Sequence, residues 1–160
     1  MGNTYLAKDP TYFTLSPQAL KYAQVGAEAM GYRNAILRMG SDDVKDAPVV
    51  VMLYMPPGAV LPRHAHECHR VEVIVQGSML TEDGMWLNPG DVRTSAPGEA
   101  YGPHTAGPLG VLSAEIFSNT AGVDGVFPAD LPREHQENLA RAGVAVNAWM
   151  QSKSASPRDK

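Results

Sequence analysis

The stretch PRHAHECHRVEVIVQG, residues 62–77, gathers His64, His66 and His69, the thiol of Cys68 and the acids Glu67 and Glu72. Imidazole, thiolate and carboxylate are the side chains that ligate divalent metals and carry protons, so their spacing decides what this stretch can do. An extended chain sends alternate residues to one face, which sets His64 and His66 side by side with Cβ atoms roughly 7 Å apart. Two imidazoles so placed can meet one ion. Past a turn at 67–69, the alternation RVEVIV puts Val71, Val73 and Val75 on one face and Arg70, Glu72 and Ile74 on the other. With the valines outside, Arg70 and Glu72 look inward. A second group, YGPH at 101–104, offers Tyr101 and His104, with a Gly-Pro pair to redirect the chain between them.

These residues need a frame. Pro and Gly punctuate the middle of the chain, and the runs between them are short and rich in Val, Ile and Leu, as in a sandwich or barrel. Eight strands are expected, at 32–39, 48–55, 59–66, 70–77, 78–82, 85–87, 91–96 and 110–118. Asp83-Gly84 suits a two-residue hairpin, and NPGD at 88–91 places Pro and Gly where a tight turn uses them. Two flanking helices are expected, one opened by Ser16-Pro17, the other in DLPREHQENLARAG with Asp130 near the cap and Gly143 as its stop. The organisation expected is an arm over 1–44, a barrel core over 45–120, a helical extension over 121–150 and a disordered tail over 151–160.

The spans GAVLPRHAHECHRVEVIVQG (58–77) and PGDVRTSAPGEAYGPH (89–104) resemble the two sequence motifs of the cupin superfamily. That resemblance implies an all-β, small antiparallel jelly-roll barrel, here with short flanking helices. It also implies a divalent metal held by three histidines and a glutamate. Two ligand positions depart from the pattern: counting from Gly77, the glutamate slot holds Arg70, and counting from Gly90, the second-motif histidine slot holds Tyr101. Only His64 and His66 carry over directly. His104 is the candidate third ligand, giving a site similar to three-histidine cupin dioxygenases, and Glu72 is either a displaced fourth ligand or the ion-pair partner of Arg70 or Arg93. Imidazole donors admit several metals. Fe(II) is expected first, by resemblance alone, with Zn, Ni, Mn or Cu admitted. His69 and Cys68 read as turn residues, and His135 as a solvated helix side chain.

Two function classes follow. One is a metal-dependent cupin enzyme of dioxygenase, isomerase or lyase type acting on a small oxygenated carbon acid, with Arg70 orienting an anionic or enolisable substrate and Tyr101 or Glu72 handling protons. The other is a non-enzymatic, sensor-like cupin that binds a small molecule with weak or no metal. A formal charge of -4 with acids and bases interspersed leaves no basic stripe for nucleic acid or an anionic membrane. No run of about 18 apolar residues occurs, and the start lacks the pattern of a signal peptide. A cytoplasmic homodimer is expected, its single cysteine consistent with a reducing compartment.

Overall fold

The computed structural model describes residues 4–9, 11–13, 32–39, 44–120, 122–123 and 125–126, and among these the regular structure is strand alone. The strands are β1 (Arg33–Arg38), β2 (Val49–Met55), β3 (Val60–Leu61), β4 (Arg70–Leu80), β5 (Trp86–Leu87), β6 (Val92–Ser95) and β7 (His104–Phe117). All pairings are antiparallel, in the order β1-β2-β7-β4-β5, with β3 added to β7 and β6 to β4. The two long strands are the hub: β7 meets β2, β3 and β4, and β4 meets β5, β6 and β7. Both expected helices, the tail and His135 lie outside the described residues. Among the described residues no helix is long and apolar enough to cross a membrane.

Strand alternation decides what faces in. On β2, Val49, Val51, Leu53 and Met55 are buried while their neighbours are half-buried. They pack with Ile74, Met79, Val111 and Phe117. Fully burying side chains of this size is worth about 1.5–3 kcal/mol each, and it fixes which face of every neighbouring strand turns inward. On β4 that face carries Arg70 and Glu72, and on β7 it carries Ser113 and Glu115, all buried. The interior is therefore apolar along β2 and polar where β4 meets β7.

The structure corrects the strand reading at four points, the first being that the expected strand 59–66 is strand only over β3, Val60–Leu61, with isolated bridges at His64 and Ala65 beyond it. The expected strands 70–77 and 78–82 are one strand, β4, because Gly77 (φ 77°) sits in an irregular stretch of β4–β7 pairing rather than in a turn. The last strand begins at His104 instead of residue 110. The hairpin after β4 has a three-residue loop, closed by Thr81 N–H donating to the Met85 carbonyl at 2.9 Å with Gly84 at positive φ; that is the next commonest hairpin geometry after the two-residue one. The NPGD turn forms as read: Asp91 N–H donates to the Asn88 carbonyl (2.9 Å), and Gly90 takes φ 95°.

Gly77 allows a close approach no other residue permits, since a Cβ there would stand 2.0 Å from the Gly110 carbonyl oxygen. Gly58 has a similar φ of 71° with open space around it. Gly58→Ala should therefore show only the backbone cost of about 1–2 kcal/mol. Gly77→Ala should exceed it, because β4 and β7 must also separate. Urea midpoints of the two variants check this, and equal midpoints would count against the close contact.

Candidate functional site

His64 is fixed by its own backbone. Its N–H donates to the Tyr101 carbonyl (3.0 Å) and its carbonyl accepts from Tyr101 N–H (2.9 Å), so the two motif segments meet at this pair. Ala65, on the opposite side, pairs in the same way with Val126. Alternation then brings His64 and His66 together, buried, with ring centroids 5.2 Å apart. Each ring is oriented by a main-chain carbonyl: His64 Nδ1 contacts the Pro62 oxygen at 2.8 Å and His66 Nδ1 the Gly122 oxygen at 3.1 Å. A carbonyl only accepts, so Nδ1 carries the proton and Nε2 the lone pair.

Tyr101 occupies the middle of the cluster. Its ring meets His64 edge-on at 4.5 Å, stacks with His66 at 6.2 Å and with His104 at 5.4 Å, and lies 4.4 Å from the Arg70 guanidinium carbon. Arg70 points inward, as the alternation predicts, and is 1% exposed. Its Nε donates to Glu115 Oε1 at 3.0 Å, its Nη2 also bonds Glu115, and Nη2 stands 2.8 Å from Glu72 Oε2. Glu72 and Glu115 are direct cross-strand partners in the β4–β7 ladder. Like charges so placed repel, and the guanidinium between them is what makes the pairing tolerable.

His104 opens β7 and is fully buried. Its Nε2 lies 3.0 Å from Arg93 Nη1 and 3.2 Å from Glu82 Oε2, and Arg93 and Glu82 are themselves ion-paired. These two, with side chains 24% and 30% exposed, are the members of the cluster that reach solvent.

Burial dominates the electrostatics. It pushes His64 well below the ordinary imidazole value, with His66 and Arg70 adding to the effect. His66 falls to about 4 through burial and then Arg70. His104 is lowered by burial, partly opposed by Glu72. All three rings are neutral at pH 7. Burial likewise raises the Tyr101 phenol far above its ordinary value, so it stays protonated. For Arg70, burial disfavours the charge, but Glu115 and Glu72 outweigh it and the guanidinium is held protonated. At Glu82 burial is also overcome, by the hydrogen bond and charge of Arg93, and the carboxyl falls to about 2.

Of the residues singled out from the sequence, the structure gathers His64, His66, Arg70, Glu72, Tyr101 and His104 into one buried cluster. The donor set of the family's metal site does not fit them. Glu72 turns to Arg70, the Tyr101 ring stands against both His64 and His104, and His104 Nε2 is engaged by Arg93 and Glu82. Among the described residues, no three His, Cys, Asp or Glu side chains stand together in a metal-holding group. Arg70 also opposes added positive charge at all three rings. Two partners escaped the sequence reading, Glu115 for Arg70 and Glu82 for Arg93. Glu115 shares the inward parity of Val111, Ser113 and Phe117 on β7, which alternation alone could have flagged. The Arg93–Glu82 pair joins β6 to the loop after β4, a contact that no local pattern announces.

No protein-family model matches the chain, and no curated protein sequence does. Solved structures do. An RmlC-like cupin protein from Ralstonia eutropha JMP134 is similar over 99% of this chain and 93% of its own, with a TM-score of 0.56 and 13% identity. This chain has the cupin fold. At that identity the likeness shows fold alone. An RmlC-like cupin from Shewanella frigidimarina NCIMB 400 is 23% identical over 55% of this chain and 76% of its own (TM-score 0.45). KdgF from Halomonas sp. is 18% identical over 74% of this chain and 96% of its own (TM-score 0.49). The antiparallel sheet and the resemblance in the two motif spans agree with a jelly-roll fold.

Proposed function

We propose that the buried cluster of this cupin binds a small oxygenated molecule, with Arg70, Tyr101 and Glu72 contacting it and no metal needed for binding. The observation that carries this reading is a group of four unpartnered polar atoms on four buried residues. Arg70 Nη1, Glu72 Oε2, the Tyr101 hydroxyl and His104 Nδ1 have no hydrogen-bond partner among the described residues. Glu72 Oε2 belongs to this group because its 2.8 Å approach to Arg70 Nη2 is an ion pair without hydrogen-bond alignment. Leaving one such atom unsatisfied costs about 1–3 kcal/mol, so a cluster of four marks a place where a ligand's polar groups are expected.

A metal-dependent enzyme acting on the same kind of molecule is the second reading, and a specific observation favours it. The Nδ1–carbonyl bonds of His64 and His66 leave both Nε2 atoms as the basic nitrogens, which is how ligating histidines are commonly held. In that reading His64 and His66, with His104 released from Arg93 and Glu82, hold a divalent ion such as Fe(II).

Metal analysis of protein purified without a chelating column separates the two. Well below stoichiometric metal, together with small-molecule binding that survives a chelator, is the expected result. Stoichiometric metal that is lost in His64→Ala and His66→Ala would overturn the first reading in favour of the second.

A further inference from the structure

The unpartnered atoms also constrain what the ligand is, provided the cluster is a binding site as proposed above. Each one has a fixed hydrogen-bonding character. A guanidinium N–H only donates, so Arg70 Nη1 requires an acceptor on the ligand. Glu72 Oε2, which faces Arg70 Nη2 at 2.8 Å without hydrogen-bond alignment, is as a carboxylate oxygen an acceptor open to a donor on the ligand. The Tyr101 hydroxyl and His104 Nδ1 can do either. The four residues touch one another in sequence: Glu72 is ion-paired to Arg70, Arg70 lies over the Tyr101 ring, and that ring stacks on His104. A ligand satisfying them together must present an accepting oxygen and a donating hydroxyl close to one another.

Charge narrows the class further. Arg70 alone would invite a carboxylate, the anionic substrate its position in the sequence suggests. In the folded protein its charge is already answered by two carboxylates, Glu115 and Glu72. One guanidinium facing two carboxylates has no positive charge to spare. The other cation of the cluster, Arg93, is paired with Glu82. An anionic ligand would bring a third carboxylate into a buried site with no counter-charge left for it, and desolvating an uncompensated charge is costly.

We propose that the ligand is a neutral molecule with two adjacent oxygens, at least one of them a hydroxyl, as in an α-hydroxyketone or a vicinal diol. Its accepting oxygen sits at Arg70 Nη1 and the Tyr101 hydroxyl, and its hydroxyl donates to Glu72.

The test uses one three-carbon skeleton in three forms: dihydroxyacetone, glycerol and glycerate. Each is titrated into chelator-treated protein while the histidine side-chain NMR signals are followed. The ketone or the diol should bind at least about tenfold more tightly than glycerate, and which of the two leads tells hydroxyketone from diol. Tyr101→Phe keeps the ring against its neighbours and removes only the hydroxyl, so it should weaken the preferred compound about two- to tenfold. Glycerate binding as tightly as the neutral compounds, or binding that Tyr101→Phe leaves unchanged, overturns this assignment while leaving the binding site standing. If none of the three perturbs the histidine signals, the binding site itself fails and the assignment falls with it.

Discussion

Replacing Arg70 by Met is expected to destabilise the fold by about 3–5 kcal/mol, a large share of the 5–15 kcal/mol that holds a typical domain together. The cause is the chemistry the substitution leaves behind. Met fills much of the space of the Arg stem, so loss of packing is minor. Glu72 and Glu115, however, remain opposite one another across the β4–β7 ladder, both buried and without the guanidinium that bonds them. The triple variant Arg70→Met, Glu72→Gln, Glu115→Gln removes the stranded charges along with the cation and should recover most of the loss, since a buried ion cluster is often worth no more than a neutral replacement. Urea unfolding of the wild type, the single and the triple variant measures both steps. A single variant within about 1 kcal/mol of wild type would mean the acids are not held by Arg70. In ligand experiments Arg70→Met would change folding as well as affinity, so Tyr101→Phe is the cleaner probe of the site.

Much of this arrangement is legible in the sequence. Alternation in RVEVIV set the parity of Arg70 and Glu72, and period-two burial follows from the β-structure itself, so that reading depended only on a strand being there. The same rule placed His64 beside His66. What escaped was anything requiring knowledge of which strands are neighbours. Glu115 lies 45 positions from Arg70 and meets it only because β7 pairs with β4. The Arg93–Glu82–His104 contact likewise depends on β6 lying against β4 and on the loop that follows β4. That missing partner changed the chemistry. With Glu72 alone in view, Arg70 looked like an anion receptor or a competitor for a metal ligand; with Glu115 added it is a neutralised group. Strand boundaries failed for a different reason. Gly77 reads as the end of a strand because glycine usually marks one, whereas here it lets β4 approach the Gly110 carbonyl at an irregularity within the β4–β7 pairing.

Folding stability should fall as pH drops from about 7 towards 4, earlier than loss of the surface ion pairs would bring it about. The histidines set this window. In the unfolded chain each imidazole titrates near 6.5, but in the folded protein burial, followed by Arg70, holds His66 down to about 4, and His64 and His104 are lowered in the same direction. Between those values the unfolded state binds protons that the native state refuses, so stability rises with pH across the interval and is fully present only above 6.5. For His66 alone the difference amounts to about 2 kcal/mol at pH 5 and about 3 kcal/mol once the pH is below 4. His64 and His104 add to it. Glu82 acts later: its carboxyl is lowered from 4.5 to about 2 by Arg93, so its contribution persists above 4.5 and is lost only as pH falls through 2. Urea midpoints at pH 7.5, 6, 5 and 4.5, measured with chelator present, should decline steadily over the whole range. His66→Gln, which cannot take up the proton, should flatten part of that decline. A midpoint that stays constant down to pH 5 would mean that the histidines are not buried neutral against Arg70.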